Sequence, residues 1–304
     1  MTQIPDFPAF RPVELEDRAP LEDTFRGMQP EVSELNFTNI FMFQNVHDYM
    51  LSTLNGNTLV LAKSYSGETY FLPPIGEKNI PATMEAMFGY LGGQGLKPAI
   101  CLAWHAFMER HVFGNESFSF VTDDGDSDYL YMAEDLKTLA GRKFHDKKNL
   151  VNRFLRKHEH EYRTLTEEMV PQAKDLVERW CREKCTVESP STFGETEATM
   201  LALGNLNNLS TKGGVVVIKG RVEALSLGEE LNRETVVVHV EKANSAFEGL
   251  YQFISSEFLK REFPGYKYVN REQDLGEPNL RKSKLSYNHI RLVEKYRVWP
   301  KELK

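Results

Sequence analysis

The chain has 304 residues, 41% hydrophobic and 27% charged, with a net charge of −7. That length accommodates two domains of ordinary size, each with its own core, and the acidic balance weighs against nucleic-acid binding by the surface as a whole. No apolar run approaches the roughly 20 residues of a membrane-crossing helix, the start lacks the basic and apolar regions of a signal peptide, and three cysteines, an odd count, suit a reducing compartment; the expected location is cytoplasmic.

Residues 1–30 are acidic and rich in proline, with little periodicity. Helix and turn alternate over 33–51. Residues 58–63 and 68–72 read as paired strands, 80–91 as an amphipathic helix, 98–102 as a strand and 104–111 as a short helix. Residues 118–121 and 129–131 read as a hairpin around the acidic turn Asp123-Asp124-Gly125-Asp126, whose glycine stands at the wrong offset for a calcium loop. Helices are expected over 134–139 and 148–158. Charge is uneven here: Arg142 to Arg163 carries eight Lys/Arg against three Asp/Glu. Helices over 167–184 and 196–205 follow. Cys181 and Cys185 stand four apart on the first of these and read as thiols, with no second ligand pair for a metal. No metal is expected.

Strands over 215–219 and 221–227 lead to the most informative stretch, Thr235 to Asn244. Val236, Val237, Val238 and Val240 are β-branched and flank a lone His239. Asn244 and Ser245 give a helix start signal, Phe247, Leu250, Tyr251, Ile254, Phe258 and Leu259 recur at helical spacing, and Pro264-Gly265 ends the helix. A strand at Tyr268, a polar loop and a basic helix up to Tyr287 complete the order. Ligands of open α/β sheets bind beyond the carboxyl ends of strands, so this block is the expected working part.

Period-2 geometry puts His239 and Glu241 on one face of the strand and Val236, Val238 and Val240 on the other. Either polar residue is a candidate to take a proton from an incoming ammonium; a structural His–Glu pair is the alternative. Asn270, Arg271, Glu272 and Asp274 follow the next strand. Asp274 and Glu272 are candidates to hold a substrate ammonium or, equally, to stabilise the loop. Arg281, Lys282 and Lys284 precede Tyr287 on a basic helix. The stretch Arg142, Lys143, Lys147, Lys148, Asn149, Arg153 interleaves cations with Phe144 and Phe154, a mixture suited to a tRNA acceptor end or to coenzyme A phosphates; it reads equally as a helix between two domains. The free N–H groups before Glu248, with Lys242, Asn244 and Ser245, form a second candidate phosphate site.

The runs VHVEKAN, YVNREQDLG and LRKSKLSY, with DYLYMAEDLKTLAGRKFHDKKNLVNRF and SELNFTNIFMFQ upstream, resemble the DUF2156 family, related to the C-terminal catalytic domain of phosphatidylglycerol lysyltransferases. The resemblance covers roughly residues 33 to 297. It implies a mixed α/β (α+β) fold of two tandem GNAT-like domains with mostly antiparallel sheets, related to Fem-type aminoacyltransferases and acyl-CoA N-acyltransferases. The expected division is an N-terminal domain over 1–140, a basic inter-domain helix over 141–164 and a C-terminal domain over 165–304 bearing the site. The implied activity is acyl transfer, with aminoacyl-tRNA as the preferred donor and a coenzyme A thioester as the alternative; a non-catalytic binding module is the reading from another class. By the same resemblance, Lys284 or Lys282 would polarise the ester carbonyl, Asn270 would sit at the strand end, and Tyr287 would protonate the leaving group.

Overall fold

A computed structural model describes residues 3–122, 124–184 and 190–301. In chain order the elements are β1 (Arg11–Pro12), α1 (Arg18–Met28), α2 (Phe37–Met42), β2 (Met50–Leu54), β3 (Asn57–Lys63), β4 (Thr69–Phe71), α3 (Ile80–Gly93), β5 (Ile100–Trp104), α4 (His105–His111), β6 (Phe118–Thr122), β7 (Asp128–Met132), α5 (Ala133–Thr138) and α6 (His145–Lys157). They continue with β8 (Glu161–Thr164), α7 (Val170–Lys184), α8 (Pro190–Gly204), β9 (Lys212–Ile218), β10 (Arg221–Asn232), β11 (Thr235–Ala243), α9 (Leu250–Glu262), β12 (Tyr268–Asn270), α10 (Pro278–Leu285), β13 (Arg291–Val293) and β14 (Lys295–Pro300).

Two compact units result. One comprises residues 1–128 and 293–304, the other residues 129–292. The first holds a sheet of order β1-β2-β3-β4-β5-β14-β6, the second a sheet of order β13-β7-β12-β11-β10-β9-β8. Read from β8, the second order repeats the first. Each sheet begins with four antiparallel strands and then turns parallel, at β4/β5 and at β11/β12. In each, the strand next to the last comes from a distant part of the chain: β14 lies between β5 and β6, and β7 lies beside β12. The mixed, mostly antiparallel tandem fold implied by the resemblance is therefore what the chain adopts, and the repeat that no sequence similarity announces is plain in strand order.

This arrangement corrects the expected hairpin over 118–131. β6 pairs with β14, while β7 pairs with β12 in the other sheet. The physical reason lies in composition. Residues 128–131 are all buried, so both faces of β7 are covered, which suits a strand inside a sheet packed on both sides rather than a half-exposed hairpin. The unit limits at 128/129 and 292/293 also differ from the expected divisions at 140 and 164. The basic helix α6 belongs wholly to the second unit, and the C-terminal strand to the first. Cys101 is a free, half-buried thiol, and Cys185 lies outside the described residues.

In the first unit, Lys295 at the start of β14 is fully buried. Its Nζ donates to Asp128 Oδ1 at 2.6 Å and to Glu34 Oε1 at 2.7 Å. In the second unit, α9 packs on the sheet with Leu250, Phe253, Ile254, Phe258 and Leu259 buried. Each contributes roughly 1.5–3 kcal/mol. Val236, Val238, Ala243 and Val269 meet them in one cluster. The helix begins later than the Asn244-Ser245 signal suggests, with Gly249 as its N-cap residue. Residues 244–249 are used in turns: Asn244 Oδ1 accepts from Ala246 N at 3.0 Å, and Phe247 N donates to Asn244 O.

Candidate functional site

The end of β11 is shaped by an irregularity. Leu227 pairs with Val240 and Gly228 with Val238, so His239 is an extra residue opposite a single step of β10. Such a bulge re-aims side chains and breaks alternation. His239 and Glu241 consequently do not share a face. Glu241 turns toward α9, where it interacts with Ser255. His239 is fully buried, with Nδ1–H donating to Glu272 Oε1 at 2.9 Å and Nε2–H to Glu229 Oε1 at 3.0 Å. Burial alone would lower its pKa; the two carboxylates outweigh this and push it up to about 9. The ring is thus an imidazolium with both nitrogens occupied, an arrangement that positions rather than accepts a proton from an amine.

The loop after β12 is held at several points. Asn270, buried at the strand end, accepts from Glu272 N at 2.7 Å, which lets Glu272 adopt a left-handed φ of 56° and reach His239. Lys284 Nζ donates to the carbonyls of Arg271 and Glu272. Arg271 N donates to Tyr129 O, and Tyr129 N to Glu272 O. Asp274 is buried and takes Arg281 at 2.8 and 3.0 Å, Tyr129 Oη–H at 2.6 Å and Gly276 N at 2.8 Å. These partners hold its carboxyl below the usual range although burial opposes them. Asp274, Glu272 and Lys284 therefore fasten the loop; Lys282 is exposed.

What the fastened loop presents is Arg271. Its Nη2 donates to Glu241 Oε1 at 3.2 Å. The guanidinium lies 4.9 Å from the Tyr287 ring centroid and 5.9 Å from that of Tyr131. Lys147 Nζ stands 4.3 Å from the same Tyr287 ring and donates to Ser286 Oγ at 2.6 Å. Burial raises the Tyr287 phenol to about 12 against the pull of Arg271, and burial likewise raises the Glu241 carboxyl and lowers the Lys147 ammonium, with Arg271 adding to the latter. Two buried polar atoms here have no hydrogen-bond partner, Arg271 Nη1 and Ser226 Oγ, and Ser226 pairs directly across the ladder from Glu241. An unsatisfied buried donor costs about 1–3 kcal/mol. A substrate oxygen placed at Nη1 would remove that cost.

The remaining expected ligands are dispersed. Lys143 is paired with Asp135 at 2.7 Å, Lys148 donates to Thr138 O at 3.1 Å, Asn149 meets His145 at 3.2 Å, and Arg153 pairs with Glu248 at 2.6 Å. Arg142 is exposed. Lys242 is buried away from Glu241, 2.7 Å from Glu195 and 3.4 Å from the Trp180 ring centroid. Asn244 donates to Glu223 Oε2 at 2.9 Å, and Ser245 is exposed.

The profile described as "Phosphatidylglycerol lysyltransferase, C-terminal" matches residues 25–299. The chain belongs to the phosphatidylglycerol lysyltransferase C-terminal family. Among solved structures, a protein of unknown function from Bacteroides thetaiotaomicron is 28% identical, with a TM-score of 0.85 over 96% of this chain and 99% of that one. L-PGS from Bacillus licheniformis shares 13% identity at a TM-score of 0.59, covering 86% of this chain and 91% of its own. FemX shares 9% at 0.56, covering 96% and 97%. The last two likenesses concern the fold. An uncharacterised protein of Mycoplasmoides gallisepticum is 22% identical over 181 residues, 59% of this chain and 58% of that protein, so the match spans less than two thirds of that relative.

Within this family framework, the sequence reading missed Glu229, Tyr131, Ser226 and Ser255. Glu229-Glu230 inside a strand was the available signal, since adjacent acids put one carboxylate on each face and one of the two is buried here.

Proposed function

We propose that this family member transfers an aminoacyl group from aminoacyl-tRNA to an amine or hydroxyl acceptor at the Arg271–Glu241–Tyr287 cluster. The observation that carries the reading is the buried guanidinium with Nη1 unpartnered between a carboxylate and a phenol. In the transfer, the acceptor attacks the ester carbonyl and the bond to the ribose oxygen breaks. Arg271 Nη1 receives the carbonyl oxygen as it becomes anionic. Glu241, its carboxyl raised by burial, takes the acceptor's proton. Tyr287, which keeps its proton at neutral pH, gives it to the departing ribose oxygen.

The start of α9 favours this donor over coenzyme A. A Cβ on Gly249 would lie 2.2 Å from Leu150 O and 3.1 Å from Phe154 Cβ. Leu150 and Phe154 of α6 thus pack directly against Gly249 at the start of α9, near where a pyrophosphate would sit. Titration with coenzyme A, acetyl-CoA and bulk charged tRNA at two salt concentrations tests the reading. It predicts salt-sensitive tRNA binding. Neutralising Arg142 and Lys148 should flatten the salt dependence by about one unit of slope for each phosphate left without its cation. Tight coenzyme A binding without tRNA binding would overturn it.

A further inference from the structure

Three ionisable side chains of the first unit meet in a pocket closed to water, and their charges do not balance. Glu34 precedes α2, Asp128 ends the first stretch of the unit and Lys295 begins β14. They are 4%, 0% and 2% exposed. Lys295 Nζ donates to both acids, to Asp128 Oδ1 at 2.6 Å and to Glu34 Oε1 at 2.7 Å, and lies 3.4 Å from Ser33 Oγ. The two acids are not equivalent. Asp128 also accepts from Ser33 N at 2.8 Å and from Ser33 Oγ–H at 3.1 Å. Glu34 Oε2, in contrast, is buried with no hydrogen-bond partner.

One ammonium balances one carboxylate. Asp128 has the fuller set of donors and is the ionised partner. A second negative charge, on Glu34, would leave the pocket uncompensated and an anionic oxygen that nothing solvates, which is the costly state of a buried acid. A proton on Glu34 removes that charge and leaves Oε1 accepting from Lys295. Tyr70, whose phenol also feels Glu34, keeps its proton because burial raises it, so it adds no charge. The titration agrees with the geometry: burial raises the Glu34 carboxyl, Lys295 pulls it down and Asp128 pushes it up, leaving it at about 7 rather than 4.5.

We propose that Glu34 is a proton switch of the first unit: in mild acid its carboxyl is protonated and the unit is held firmly, and in mild base it gives up the proton, Lys295 is shared between two carboxylates, and the unit loosens. The inference stands independently of the acyl-transfer proposal, because its test needs no turnover. The sign follows from the unfolded chain, whose glutamate ionises near 4.5. Folding takes up a proton between that pH and the folded value, so stability is lost as pH rises through this window. The full chain is unfolded with urea from pH 5 to 8, each protein carrying Trp180→Phe so that fluorescence reports Trp104 and Trp299 of the first unit. The unfolding constant of the parent relative to Glu34→Gln should rise about tenfold per pH unit up to about pH 7 and level off above it. Asp128→Asn, compared with the same change on Glu34→Gln, gives Lys295 to Glu34 alone and should move the rise about one pH unit toward acid. A ratio that is constant with pH, or a rise that Asp128→Asn leaves in place, would overturn the inference. Should a variant not fold, infrared spectra of the parent decide. A protonated carboxyl that persists at pH 6, where unstructured carboxyls are ionised, and is gone by pH 8 is expected; its absence would overturn the inference.

Discussion

The imidazolium of His239 offers the sharpest test of how the loop bearing Arg271 is held. Its pKa rises from 6.5 to about 9 in the folded protein. At about 1.4 kcal/mol per tenfold change in proton affinity, this corresponds to roughly 3 kcal/mol. The group is fully buried, so solvent screening takes little from that figure. A cation with a raised folded pKa stabilises fully below its unfolded value, and the contribution is lost as pH climbs through the folded one. His239→Gln should therefore cost most at pH 6.5 and below, and the gap to the parent protein should close between pH 6.5 and about 9. For a unit of this size, roughly 3 kcal/mol is about 6–12 °C of unfolding temperature. The assay is circular-dichroism melting of both proteins across that range. Titrating groups away from His239 are common to the two and cancel in the difference, while Glu229 and Glu272, which lose their cation in the variant, take protons more readily there and narrow the gap at the acid end. A difference in melting temperature that stays constant with pH would refute the reasoning.

Three further outcomes follow from the same geometry. Lys295→Met should destabilise by about 3–5 kcal/mol, since Asp128 and Glu34 would keep buried charge without a cation; urea unfolding measures it. Ending the chain at Leu292 removes β14 from between β5 and β6, so the truncated protein should lose the cooperative melt of the first unit and aggregate, as seen by calorimetry and light scattering. Gly249→Ala should destabilise by at least about 1–3 kcal/mol, because a φ of 91° and a carbonyl 2.2 Å from the new Cβ both oppose it; thermal melting checks this.

The parts of the fold that depend on local pattern are legible in the residues themselves. The valines of 236–240 announce β11, and the apolar spacing from Leu250 to Leu259 announces α9. Which sheet a strand joins is a different matter. β7 and β14 each look like strands from their own residues, but nothing local says that each completes a sheet begun elsewhere in the chain. The site divides in the same way. Arg271, Glu241 and Tyr287 stand out as polar residues at strand ends and on the basic helix. The role of His239 does not, because the bulge that turns it away from Glu241 depends on the register of β10, and its second carboxylate, Glu229, lies on that strand. Lys284 was expected to polarise a carbonyl of the substrate. It holds two backbone carbonyls instead, because α10 buries it against the loop.

The central claim is that Arg271 Nη1 meets the oxygen on which charge develops. Single-turnover transfer from charged tRNA, compared between the parent protein and Arg271→Lys and Arg271→Met, tests it most directly. The account predicts a rate loss of about 10²–10³ for Arg271→Met, a smaller loss for Arg271→Lys, and tRNA affinity within a few-fold of the parent. Unchanged rates in the well-folded Met variant would contradict it.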